Sequence, residues 1–164
     1  MPPDLRPAVV IYRSPLFNAS ETFVQAHAAG LVRYRPLVVG LADRGNARPE
    51  LAGRLVLPAS SGEALRFRLL GDARAFAGRL RPEAPILVHA HFGPDGLLAL
   101  PLARRLGVPL ITTLHGYDVG LTRSRLLISG RWSWINYALW RRRLFADGAL
   151  FLAVAEAVRR RHSA

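Results

Sequence analysis

Three histidines stand where imidazole chemistry is possible: His89, His91 and His115. The first two lie in His89-Ala90-His91-Phe92-Gly93, directly after the apolar run Ile86-Leu87-Val88; the third opens His115-Gly116-Tyr117-Asp118, directly after Leu110-Ile111-Thr112-Thr113-Leu114. A His-x-His pair with a third histidine is a possible zinc-ligand pattern. Hydrolases built on such a pair draw further carboxylates or histidines from a larger barrel than 164 residues supply, so no metal is expected. A neutral imidazole at a strand exit can instead hydrogen-bond a ligand hydroxyl. His91 and His115 suit that role, whereas His89 reads as a packing histidine. There is no G-x-S-x-G turn, no G-x-x-x-x-G-K-[ST] loop and no strict G-x-G-x-x-G fingerprint. Neither a serine nucleophile nor a tightly held dinucleotide is expected, and no cofactor is implied.

The elements that must position these side chains follow from pattern. Ile86–Val88 is a short apolar run of the kind a strand buried on both faces shows. Gly93 can cap a helix, Pro94 suits its first position, and Asp95 sits near the positive end of its dipole. Leu98, Leu102 and Leu106 recur at helical spacing, and Gly107 and Pro109 stop the helix before the strand Leu110–Leu114. A strand, crossover helix and strand of this length form a right-handed parallel unit. His91 and His115 are therefore predicted on one edge of one sheet, the edge at which open α/β sheets bind ligands.

Upstream, Ala8–Tyr12 reads as a first strand. Asn18 with Glu21 three residues on has capping-box spacing and predicts a helix to about Tyr34 that buries Phe23, Ala26 and Leu31. Free N–H groups at its start can meet an anion. Leu37–Leu41 is a second strand, 42–53 a surface loop, and Leu55–Leu57 a third strand ended by Pro58. Leu65, Leu69, Ala73, Phe76 and Leu80 mark one helix. Downstream, 123–131 is short helix or loop, 132–145 is helical, Ala149–Val154 is a strand, and a further helix begins at Glu156. Strand and helix alternate throughout, which predicts an α/β fold with a doubly wound, mostly parallel, Rossmann-like sheet in a single domain.

Half of the residues are apolar (51%), as in a folded chain, and there is no cysteine, so disulfides and thiolate metal sites are excluded. No signal-peptide core or membrane-spanning run is seen, and a cytoplasmic protein is expected. The net charge is +12, and all 23 basic residues are arginine. Such a field favours anionic surfaces or ligands without choosing among phospholipid, lipid diphosphate, sugar nucleotide and nucleic acid. Trp132, Trp134, Tyr137 and Trp140 with Arg141-Arg142-Arg143 fit a membrane-surface contact or a core-facing stripe with a solvated basic end. No RNA motif accompanies them, and no nucleic-acid partner is expected.

Four groups of residues together carry a resemblance: Ser20-Glu21-Thr22-Phe23 after the first strand; His89-Ala90-His91-Phe92-Gly93; Thr113-Leu114-His115-Gly116-Tyr117-Asp118; and Arg142-Arg143-Leu144-Phe145 before a final strand and Ala155-Glu156. In this order they resemble the N-terminal domain of family 4 glycosyltransferases, most closely the branch that builds exopolysaccharides such as colanic acid. The resemblance implies half of a GT-B fold, with an acceptor-side domain here and a separate domain holding the sugar nucleotide. It implies retention of anomeric configuration without a metal. By position, His115 would contact the donor sugar as the catalytic group, with Gly116 letting backbone approach closely. Ser20, Glu21 and Thr22 would face donor phosphates or acceptor, and His91 and Asp118 would shape the acceptor side.

The chain departs from many relatives at Ala155, where they carry serine. It stops before a donor-binding domain, so residues 1–164 are expected to show little turnover alone. The reading is an acceptor-side domain that takes a nucleotide-sugar donor and a glycan or lipid-linked acceptor, with possible peripheral contact at the anionic inner face of the membrane. A non-catalytic α/β module for a phosphorylated small molecule is the alternative.

Overall fold

Six strands form one sheet, all parallel, in the order β3-β2-β1-β4-β5-β6. The computed structural model describes residues 4–18 and 21–154. The strands are β1 (Ala8–Tyr12), β2 (Arg35–Val39), β3 (Leu55–Val56), β4 (Leu87–His91), β5 (Leu110–Leu114) and β6 (Leu150–Ala153). The helices are α1 (Thr22–Ala29), α2 (Ser61–Leu70), α3 (Arg74–Leu80), α4 (Gly93–Leu106), α5 (Tyr117–Gly120), α6 (Arg123–Leu127) and α7 (Trp132–Asp147). This is the doubly wound Rossmann-like order expected, and it is consistent with half of a GT-B fold. The strand order reverses between β1 and β4, so ligands of such sheets bind outside the carboxyl ends of those two strands.

β1 is buried at all five positions because both sheet faces are covered. Alternation sends Ala8, Val10 and Tyr12 to one side, against α2, α3, α4 and α7, and sends Val9 and Ile11 to the other, against α1. On the first side α4 is the central helix, with ten buried residues including Leu98 and Leu102. Gly93 and Gly96 let it approach closely: a Cβ on Gly93 would lie 2.5 Å from the Tyr137 ring, and one on Gly96 would lie 2.6 Å from Thr112.

Several local expectations are corrected. β2 starts and ends two residues before the predicted Leu37–Leu41, its register set by Ala8↔Arg35 through Tyr12↔Val39. Pro36 is tolerated because β3 pairs only with Val38 and Val39, leaving Pro36 beyond that ladder. α1 ends at Ala29, not Tyr34, and buries Val24, Gln25 and Ala28, while Phe23 and Ala26 face outward. Gln25 is buried because its amide bonds the backbone of Asn46 and Arg48. Among the described residues no side chain caps α1; the Asn18 backbone carbonyl accepts the Glu21 N–H.

The single helix expected over Leu65–Leu80 is two, broken where Gly71 adopts a left-handed conformation (φ 66°). The break rephases the chain, so Phe67 and Phe76 are buried against each other and Leu65 and Leu69 are left exposed. α7 divides its aromatics. Tyr137 is buried and Trp134 half-buried against the core, while Trp132 and Trp140 are exposed. The helix expected from Glu156 lies outside the described residues.

Candidate functional site

Parallel pairing places His91 beside Thr113, so β4 and β5 finish together and His91 and His115 share one rim. The period of two along each strand puts Leu87, His89 and His91 on one face of β4, with Ile111, Thr113 and His115 on the same face of β5. α1 covers that face. His89 is buried, with Nε2 2.7 Å from the Thr113 hydroxyl, in keeping with a packing histidine. His91 stacks on it at 5.0 Å and 11°.

His91 is 4% exposed and places both ring nitrogens on other imidazoles: Nδ1 lies 3.2 Å from His115 Nε2, and Nε2 lies 3.1 Å from His27 Nδ1. His115 is only half-buried, packed between Phe92 at 4.4 Å and Phe23 at 4.7 Å. Burial pushes all four histidines down: His89 to about 4, aided by His27 and His115; His91 further, aided by its imidazole neighbours and Arg13; His27 and His115 more mildly, with Asp118 opposing at His115. The cluster is therefore neutral at pH 7. No group of histidines and carboxylates among the described residues could hold a metal ion.

The second half of the site is an ionic network at the switch point. Arg13, the first residue past β1, sends Nε and Nη2 to Glu21 at 2.7 and 2.5 Å, and Nη1 to Asp95 at 2.5 Å and the Ser14 carbonyl at 2.8 Å. Its guanidinium lies 4.7 Å from the Phe92 ring centroid. Burial pushes the Asp95 carboxyl up to about 6 against the opposing pull of Arg13, while the two carboxylates hold Arg13 firmly charged. Phe92 carries φ 70°, unusual for a residue with a Cβ, and occupies the hinge between β4 and α4.

Asp118 is fully buried. Its carboxylate accepts the Gly93 N–H at 2.8 Å and the His115 N–H at 3.0 Å, tying the two exits together. Gly116 (φ 91°) supplies the turn from His115 into α5.

Arg13, Glu21, Phe92, Asp95, His115 and Trp134 line a cavity of about 360 Å³. A larger hollow of about 530 Å³ lies beside it, sharing Ser14 and Pro15 and flanked by Arg44 and Arg68; among the described residues no imidazole lines it. Of the residues singled out in the sequence, His115 and Glu21 reach the smaller cavity. Thr22 opens α1 on an exposed position, and His91 and Asp118 lie just beneath the surface. Ser20 lies outside the described residues. Sequence reasoning missed Arg13, Asp95 as its partner, and His27. The His91-to-His27 span of 64 residues leaves no local pattern to find.

No helix among the described residues is long and apolar enough to cross a membrane. A search of curated proteins returns no match. A family model described as Glycosyltransferase Family 4 matches residues 20–164, a span that takes in Glu21, both histidine exits and all of the sheet except β1. The chain belongs to Glycosyltransferase Family 4.

Proposed function

We propose that residues 1–164 form the acceptor-side domain of a retaining glycosyltransferase. It would help transfer a sugar from a nucleotide-sugar to a lipid-linked or polysaccharide acceptor in surface polysaccharide assembly. The observation that carries this reading is His115. It is a neutral, half-buried imidazole at the carboxyl edge of the sheet, beside the strand-order reversal, with part of its ring open to a cavity of about 360 Å³. A neutral imidazole can exchange hydrogen bonds with sugar hydroxyls without placing a charge beside a developing oxocarbenium ion.

Around it, Gly116 keeps the backbone thin, and Glu21 and Thr22 stand at the mouth of the first loop. His91 and Asp118 hold the imidazole and its backbone in place from below. Arg44 and Arg68 beside the larger hollow favour an acceptor bearing phosphate. The exposed Trp132 and Trp140 with the neighbouring arginines suit peripheral contact with an anionic membrane at its cytoplasmic face.

Joining the chain to a donor-binding α/β domain and assaying sugar transfer tests the reading. His115→Ala is expected to reduce transfer by at least about tenfold, the scale of one well-placed polar group. Unchanged transfer removes His115 from the site. Absence of transfer in every such chimera, with retained binding of a sugar phosphate, favours a non-catalytic binding module.

A further inference from the structure

The histidine cluster contains an arrangement that sugar recognition alone does not call for. Three imidazoles, from α1, β4 and the exit of β5, meet nitrogen to nitrogen in a line: His27 Nδ1 to His91 Nε2 at 3.1 Å, and His91 Nδ1 to His115 Nε2 at 3.2 Å. Both distances lie within the hydrogen-bond range. The middle ring is almost wholly buried, and among the described residues its two nitrogens meet only these two imidazoles.

Proton counting then constrains the whole line. Each neutral imidazole carries one ring proton and one lone pair. A nitrogen–nitrogen hydrogen bond holds one proton, given by one ring and accepted by the other. If His115 Nε2 donates to His91, then His91 Nδ1 is bare, its proton is on Nε2, and that proton is donated to His27; the last proton is then on His27 Nε2. If His27 Nδ1 donates instead, every ring carries its proton on Nδ1, and His115 presents an Nδ1–H. The three rings therefore share one tautomer, and the terminal proton sits either on His27 Nε2 or on His115 Nδ1. The Nδ1 of His115 has no hydrogen-bond partner among the described residues, so it is the nitrogen left for a ligand.

We propose that His27, His91 and His115 act as one tautomeric unit, in which His27 is a positioning residue that decides, through His91, which ring nitrogen of His115 carries the proton. His115 then meets a ligand as a defined acceptor or a defined donor instead of as a freely interconverting mixture. The consequence for catalysis rests on the placement of His115 at the sugar proposed above; the coupling itself does not. His89 stands outside the unit, because its Nε2 is engaged by Thr113 at 2.7 Å. Its stacking on His91 serves instead to hold the middle ring flat in line.

Imidazole ¹⁵N spectra of this chain near neutral pH read the tautomers directly, with no sugar transfer involved. In the unmodified chain His27, His91 and His115 are expected to show the same protonated nitrogen, with nitrogen–nitrogen couplings across both contacts. Different tautomers among the three, or no coupling across either contact, overturns the proposal. His27→Phe keeps an aromatic ring on α1 and removes the nitrogen. It is expected to shift the His91 and His115 ring resonances together, and His27→Asn, whose amide reaches the position of Nδ1, is expected to move them back. Folded His27→Phe with His115 resonances unmoved overturns the proposal. If that variant does not fold, the spectrum of the unmodified chain decides alone. A positive spectrum with no sugar transfer in any chimera leaves the coupling standing and removes only the glycosyltransferase role.

Discussion

Asp118 accepts the backbone N–H of Gly93 at 2.8 Å, so a carboxylate in α5, the short helix after β5, holds the first turn of α4. The same group also accepts the His115 N–H at 3.0 Å. Asp118→Ala leaves two buried donors without an acceptor and is expected to destabilise by about 2–4 kcal/mol. Asp118→Asn retains one acceptor and is expected to cost less. Chemical denaturation of both variants checks the order, and a loss below about 0.5 kcal/mol for the alanine variant contradicts the tie.

Gly93 also faces Tyr137. A Cβ there would sit 2.5 Å from the Tyr137 ring and hydroxyl, well inside contact distance. Gly93→Ala is expected to destabilise by about 1–3 kcal/mol through overpacking. Tyr137→Leu clears the space, so the double variant is expected to lose less than the sum of the two single losses. Strict additivity would place the strain elsewhere.

The Arg13 fork serves two carboxylates at once, with Asp95 almost wholly buried. Arg13→Met leaves Glu21 and Asp95 without their partner, and a loss of about 3–5 kcal/mol is expected. Arg13→Lys should rescue little, because a point charge cannot reproduce a planar fork reaching Glu21 and Asp95 together. Full rescue by lysine in a thermal melt would show that charge, not geometry, holds the loop.

Stability should fall between pH 7.5 and 6. His27, His89, His91 and His115 all have lowered native affinity for protons, so the unfolded chain takes up more protons as pH drops through about 6.5. Each group contributes up to about 1.4 kcal/mol per pH unit below that point. Asp95, pushed up to about 6, and Asp118, pushed up by burial, act with the opposite sign below about pH 6, where the native chain binds their protons first. The slope is therefore expected to steepen from 7 to about 6 and to flatten below, as Asp95 and Asp118 take up protons in the native chain. Denaturation midpoints across this range, compared with His91→Phe, check the sign. A rise in stability from 7.5 to 6 would contradict the neutral cluster.

β1 and β5 were legible to the residue, because Ala8–Tyr12 is an apolar run and Leu110–Leu114 a run of apolar and β-branched residues, each between clear breakers. The shared rim of His91 and His115 followed from the parallel unit alone. The face of α1 did not follow. Phe23 looks like a core residue, yet it turns outward onto His115, and Gln25 goes inward because backbone groups 21 and 23 residues away satisfy its amide. Glu21 at capping-box spacing serves Arg13 instead of the helix. A side chain with two candidate partners obeys the closer charge, and only the folded chain shows which that is.

α1 has eight residues, three of them buried and no side-chain cap, whereas α4 has fourteen residues with ten buried. Local opening is therefore far easier for α1 than for the central helix. Amide hydrogens of α4 should be among the slowest in the chain to exchange with deuterium, and those of α1 among the quickest of the helical ones. Because His27 travels with α1, each brief detachment of that helix disconnects one terminal imidazole while the two at the ends of β4 and β5 keep their contact. The line of rings is thus reset on the timescale of one short helix lifting and settling, without the sheet having to open.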